Sequence, residues 1–223
     1  MEAKIEFCQF KHPFTCLVAG PTGSGKTVLV RRILKYWRTI LRAVEASELR
    51  VLWCHGQNQP LYGIPIAKDV KTCYVEEIPE NQILHDSPPH IVVLDDLMNV
   101  IGRNKDVANL FTKGSHHLGI SVFFIVQNVF HQAPIMRTLS LNSQYIILLK
   151  NPRDKSQVRT LSMQLYPGNW KFFVESYEDA TKSPFGYIRI DLTPETPDEF
   201  RIQTHITPEE SDGTLCPSAY TPK

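Results

Sequence analysis

The chain has 223 residues, 42% of them hydrophobic and 21% charged, with a net charge of +1. That balance suits one α/β domain that buries a core, and it excludes a whole-molecule electrostatic attraction to nucleic acid; any such binding must come from a local patch or from repetition in an oligomer. The five cysteines (Cys8, Cys16, Cys54, Cys73, Cys216) include no C-x-x-C pair, which argues for buried thiols in a reducing compartment and against a disulfide framework.

No apolar run reaches the ~18 residues of a membrane span. Met1-Glu2-Ala3-Lys4 is unlike a signal peptide. An intracellular chain, cytoplasmic or nuclear, is therefore expected.

The first strong element is the apolar run Phe14–Ala19, a buried parallel strand by its length and lack of alternation. It leads into Gly20-Pro21-Thr22-Gly23-Ser24-Gly25-Lys26-Thr27, with Val28 next. This is G-x-x-x-x-G-K-[ST], a P-loop. Its backbone N–H groups curl around phosphate oxygens, and the helix that follows points its positive end at them. Lys26 is expected on the β- and γ-phosphates of ATP, and the Thr27 hydroxyl on Mg²⁺.

From Lys26 to about Val44 the spacing predicts one helix, with Val30, Ile33, Leu34, Trp37, Leu41 and Val44 facing inward. Arg31, Lys35, Arg38 and Arg42 recur on another face. That stripe reads either as a solvated surface or as one for phosphate, DNA or a neighbouring subunit.

Arg50–Cys54 is a second strand, followed by a loop at Gln57–Tyr62. Cys73–Val75 reads as a short third strand. His90–Leu94 is a clear buried strand ending in Asp95-Asp96, and an amphipathic stretch runs from Leu97 to about Leu118. Ser121–Val126 ends in Gln127-Asn128. Tyr145–Leu149 follows a loop carrying Arg137 and Asn142, and a helix is expected from Lys155 to Leu165. Trp170–Glu175 and Gly186–Leu192 alternate as a terminal β-hairpin would. From Thr193 the composition turns to Pro, Thr, Glu and Ser, so an ATPase domain over 1–192 and an extended, mobile tail over 193–223 are expected. Strands alternating with helices predict a mostly parallel sheet covered on both faces, a three-layer sandwich whose ligands bind at strand C-termini.

An apolar strand ending in a carboxylate, downstream of a P-loop, is the Walker B pattern. Asp95 is expected to hold Mg²⁺. Asp96 is placed to polarise the attacking water as general base. Gln127, at the next strand end, can orient that water or sense the γ-phosphate without adding charge; Asn128 is a weaker candidate. Arg137, Arg153 and Arg159 are candidates for a cationic finger. His116-His117 lack ligand spacing for a metal. Asn104-Lys105-Asp106 stands too close to Asp95 to be a guanine-reading motif, which favours ATP over GTP.

In order, G-P-T-G-S-G-K-T, I-V-V-L-D-D and S-V-F-F-I-V-Q-N resemble the FtsK/HerA branch of P-loop ATPases. The runs T-K-G-S-H-H-L-G-I-S-V-F-F-I-V-Q-N-V-F-H-Q and L-N-S-Q-Y-I-I-L-L-K-N-P-R-D resemble viral genome-packaging ATPases of the Polinton/Maverick, adintovirus and adomavirus type, relatives of the poxvirus packaging ATPase. The resemblance covers about residues 14–168. It implies a pentameric or hexameric ring that pumps double-stranded DNA into a capsid, a capsid or portal partner, no membrane, and location in the host nucleus or cytoplasm or with the virion. It also implies Gln127 as sensor and an Arg137-like finger acting on the neighbouring subunit. Asp96 departs from the wider branch, where glutamate is common. A nucleotide or polynucleotide kinase and a non-motor regulatory NTPase are the alternatives. The Asp-Asp plus Gln pattern argues against the kinase.

Overall fold

A computed structural model describes residues 6–76, 88–97, 111, 115–129 and 134–222. The stretch from 98 to 110 and Asn104-Lys105-Asp106 lie outside them.

Nine strands form one sheet. In chain order the elements are β1 (Phe10–Lys11), β2 (Thr15–Ala19), α1 (Lys26–Lys35), α2 (Trp37–Ile40), β3 (Leu41–Arg42), β4 (Leu49–His55), β5 (Val70–Val75), β6 (Ile91–Asp95) and α3 (Ser115–Leu118). They continue with β7 (Ser121–Val126), α4 (Pro134–Leu141), β8 (Tyr145–Leu149), α5 (Ser156–Leu165), α6 (Trp170–Ala180), β9 (Tyr187–Asp191), β10 (Ile202–Thr204) and β11 (Ser218–Tyr220). The sheet order is β11-β10-β9-β8-β2-β7-β6-β4-β5, and β1 pairs separately with β3. From β8 to β5 all pairs are parallel; β9, β10 and β11 add on antiparallel.

The parallel strands are apolar on both faces because both faces are covered. Cys16 and Val18 of β2 and Phe123 and Ile125 of β7 pack under Leu29, Val30, Ile33 and Leu34 of α1. Leu17 and Ala19, with Val122 and Phe124, face Leu139 of α4, Val158 and Leu161 of α5, and Phe173 and Tyr177 of α6. Each such aliphatic or aromatic side chain contributes about 1.5–3 kcal/mol by leaving water. The α/β three-layer sandwich expected of a P-loop NTPase is therefore present.

Several boundaries differ from the expected ones. The helix expected over 26–44 breaks at Tyr36, whose φ of −102° and ψ of 27° leave the helical region. Chain direction changes there so that Trp37 is buried with its indole N–H on Asp69 and Leu41–Arg42 can pair with β1. Trp170–Glu175 is helix, not the first arm of a hairpin. Six residues were too few to separate a period of 2 from one of 3.6, and Phe173, Ser176, Tyr177 and Ala180 show the helical stripe. Arg137 lies on helix α4 rather than in a loop.

The segment after Thr193 is not a mobile tail. It supplies β10 and β11 to the main sheet. Its polar residues are consumed internally: the Arg201 guanidinium donates to the carbonyls of Asp191, Thr193 and Thr196, and Thr207 and Glu210 cap a short turn of helix reciprocally. No helix among the described residues is long and apolar enough to cross a membrane.

The antiparallel extension is latched to the start of the chain by Arg189. Its side chain is fully buried, donates to the carbonyls of Phe7 and Cys8, stands 3.6 Å from the Asp191 carboxylate and lies over the rings of Phe10 and Tyr145. Removing one partner of a buried pair strands the other charge. Arg189→Met is expected to lower unfolding free energy by about 3–5 kcal/mol, read as a reduced midpoint in urea. A loss within 1 kcal/mol of zero would contradict this role.

Candidate functional site

The parallel strands end level. Ala19 pairs across with Val126 and Leu148, Ile125 with Asp95, and Asp95 with His55. Residues leaving these ends therefore share one rim: the P-loop after Ala19, Gln127 after Val126, Asp96 after Asp95, and the Gly56–Tyr62 loop after His55. A cleft of about 520 Å³ opens there, lined by Thr22, Gly23, Gly25, Lys26, Thr27 and Val28 on one side and Asp95, Asp96 and Gln127 on the other. That volume suits a nucleotide.

Gly25 sits immediately before α1 with φ 94°, in the left-handed region that glycine adopts freely. This turn aims the first N–H groups of α1 into the cleft. Lys26 donates from Nζ to the carbonyls of Gly20 and Pro21, at 2.7 and 2.9 Å. Burial lowers its pKa, and the nearby Asp95 and Asp96 carboxylates work against that shift.

The Thr27 hydroxyl donates to Asp95 Oδ2 at 3.0 Å, which joins the expected metal-binding residues of the P-loop and the β6 end. A hydroxyl and a carboxylate are hard oxygen donors. Together with phosphate oxygens they fit Mg²⁺, which takes one or two carboxylates and no all-protein cage. No group of three His, Cys, Asp or Glu that could hold a metal occurs among the described residues.

Asp95 is 3% exposed. Burial raises its pKa; hydrogen bonds from Tyr62 and Thr27 and the charge of Lys26 pull the other way. Asp96, by contrast, is exposed and has a φ of 55°, rare for a residue with a side chain. Backbone held in such a region marks a place fixed by its surroundings.

Three contributors were not read from the sequence. Tyr62 donates its phenol O–H to Asp95 Oδ2 at 3.0 Å, and its ring stacks on His55 and Tyr74 at centroid distances of 4.8 and 5.0 Å. Gly56 donates its N–H to the Asp95 carbonyl, and a Cβ there would stand 2.5 Å from the Asp96 carbonyl oxygen. Phe185, from the turn before β9, lines the P-loop end. The loop at Gln57–Tyr62 was legible as a loop, and its position after a strand end was the signal for Tyr62 and Gly56. Phe185 carried none.

The basic stripe is divided: Arg31 is buried, Arg42 is half-buried, and Lys35 and Arg38 are exposed but ion-paired. Arg31 is buried and donates to the Tyr74 hydroxyl and the Ile64 carbonyl. Lys35 pairs with Glu209, Arg38 with Asp69, and Arg42 with Glu6 and Glu195. Arg159 lies over Trp170 at 5.2 Å. Arg137 and Arg153 are exposed, form no ion pair among the described residues, and are absent from the walls of the cleft in their own subunit.

The fold is that of the P-loop NTPases. Among solved structures, the genome packaging NTPase B204 from Sulfolobus turreted icosahedral virus 2 is similar in fold. Its complex with AMP superposes with a TM-score of 0.51 at 14% identity, covering 86% of this chain and 96% of that one. The complexes with ATP-gammaS and AMPPCP give TM-scores of 0.50 at 14% and 12% identity. No protein-family model matches the chain, and no curated protein matches it in sequence.

Two predictions follow from the carboxylate and its support. An acid whose folded pKa is raised stabilises the fold below its unfolded value, about 3.9, and loses that contribution as pH rises through the folded value. In chelator, Asp95→Asn is therefore expected to gain stability relative to the parent as pH climbs from about 4 towards neutrality. Melting temperatures across that range check it, and a constant offset would refute it. Gly56→Ala is expected to cost about 1–3 kcal/mol of stability by pushing on the Asp96 carbonyl, seen as a lower melting temperature together with weaker hydrolysis.

Proposed function

We propose that the chain is an ATP-hydrolysing motor that moves double-stranded DNA, working as a ring in viral genome packaging. The observation that carries the hydrolytic reading is the convergence of Lys26, Thr27, Asp95, Asp96 and Gln127 on one cleft. The packaging reading is supported by the motif resemblance from Gln127 to Asp154 and by the fold shared with a viral genome packaging NTPase.

On this reading the P-loop N–H groups and Lys26 hold and neutralise the β- and γ-phosphates. Thr27 and Asp95 would hold Mg²⁺, which would supply neutralisation of the phosphate charge. Exposed Asp96 accepts a proton from the attacking water, while the neutral Gln127 amide orients that water. Arg137 or Arg153 supplies the remaining cation. Neither side chain has an ion-pair partner among the described residues, and both stand outside their own cleft, which suits a residue serving the adjoining subunit. A capsid or portal partner and residence with the virion belong to the same proposal.

Hydrolysis is expected to rise with duplex DNA, and Lys26→Ala is expected to lower turnover by roughly 10²-fold or more. Phosphate transfer to a small acceptor in place of water would sink the motor reading, and normal turnover in the variant would sink the site. Mixing Arg137→Ala subunits with Lys26→Ala subunits is expected to restore part of the activity. If no ratio does so while Arg153→Ala mixtures recover, the finger is Arg153.

A further inference from the structure

Among the described residues five large apolar side chains are exposed, and two of them line the P-loop cleft: Phe185 at 66% and Val28 at 49%. Exposing a phenylalanine ring at the wall of a polar cleft forgoes its burial energy, so an apolar surface that arrives only with a ligand is the natural partner.

The position of Phe185 is fixed. Its φ is 61°, an outlier for an aromatic residue. The turn that holds it there is closed on both sides: Gly186 N–H donates to the Ser183 carbonyl, and Lys150 N–H donates to the Gly186 carbonyl, tying the turn to the end of β8. The Lys150 ammonium also donates to the Lys182 carbonyl at 2.7 Å. The ring rests against the P-loop itself, since a Cβ at Gly25 would meet Phe185 Cδ1 at 3.1 Å. Strained backbone held by its surroundings next to a ligand site is a place to look for function.

The other walls of the cleft are accounted for chemically. The loop N–H groups and Lys26 suit phosphate, Thr27 and Asp95 suit a cation, and Asp96 and Gln127 suit water. Of the other lining residues, Gln57 and Gln59 present amides, Ile125 and Val126 are buried and Leu61 is half-buried, so the exposed apolar wall is the one made by Phe185 and Val28. A nucleoside triphosphate has one part with an apolar face, its base.

We infer that Phe185 is the platform on which the nucleobase of the bound nucleotide stacks, with Val28 completing the apolar wall of that subsite. The inference rests on the reading that this cleft binds a nucleoside triphosphate. Stacking of a base on an aromatic ring is broken by removing the ring, with a loss of roughly 5- to 150-fold in affinity.

Tripolyphosphate, which has the phosphates and no base, separates this contact from the P-loop. Binding of ATP and of tripolyphosphate is measured by calorimetry on the intact chain and on Phe185→Gly, a residue that tolerates a φ of 61°. The expected result is an ATP affinity reduced at least fivefold with tripolyphosphate unchanged. A second variant, Phe185→Trp, is expected to keep ATP affinity and to show indole emission that ATP quenches and tripolyphosphate does not. Unchanged ATP affinity in Phe185→Gly overturns the inference. So does an equal loss for both ligands, which would make the ring a brace for Gly25. If the parent chain binds neither ligand, the nucleotide reading itself falls, and the subsite with it.

Discussion

Every functional contact in this molecule depends on the hydrogen-bond register of its parallel strands. β7 lies between the P-loop strand β2 and the Walker B strand β6, and the three end within one residue of each other. Strands are about 4.8 Å apart, so the P-loop strand and the carboxylate strand are separated by about two such steps. The first turn of α1 crosses that gap, and Thr27 meets Asp95 Oδ2 at the far side. Because side chains alternate between faces, a slip of one residue would turn Asp95 to the opposite face.

The charges follow the same logic of internal commitment. The cations of α1 and its continuation are matched by Asp69, Glu195 and Glu209 from distant parts of the chain. Most of these pairs are half-exposed, so each adds little stability by itself, about 0–1 kcal/mol. Their effect is positional. Arg32, Lys35 and Tyr36 all reach Glu209, which fastens the far end of the helix that begins in the P-loop to the segment following β10. The buried Arg189 and Asp191 do the same for β9. The first fastening draws on Glu209, from a segment whose composition alone suggests an unstructured tail.

What was readable in the sequence is what is local. The P-loop carries its geometry in consecutive residues, and each buried strand announces itself by a short apolar run. Asp95, Asp96 and Gln127 were legible because strand ends are where a parallel sheet places its chemistry. Contributors that depend on which strand lies beside which were not. Tyr62 reaches Asp95 only because β4 pairs with β6, and Phe185 reaches Gly25 only because β9 returns beside β8. The polar residues after Thr193 misled for a related reason: Arg201, Gln203 and Thr207 find partners in the fold that a composition count cannot supply. Trp170–Ala180 shows the limit of a short window, in which alternation and helical spacing coincide.

The central place of β2 has a further consequence, for how the chain reaches this state. Its two neighbours come from far downstream; the Phe14 N–H and the Ser121 hydroxyl oxygen that accepts its hydrogen bond are 107 residues apart. At roughly 5–20 residues per second of synthesis, the strand leading into the nucleotide loop waits about 5–20 seconds for its first partner. During that time its apolar faces and both its edges are open to any other strand. Closing so large a loop is also slow relative to forming the local helices. The element on which the chemistry depends is thus the one longest exposed to misassembly, and production of this protein at high concentration is where a holding chaperone matters most.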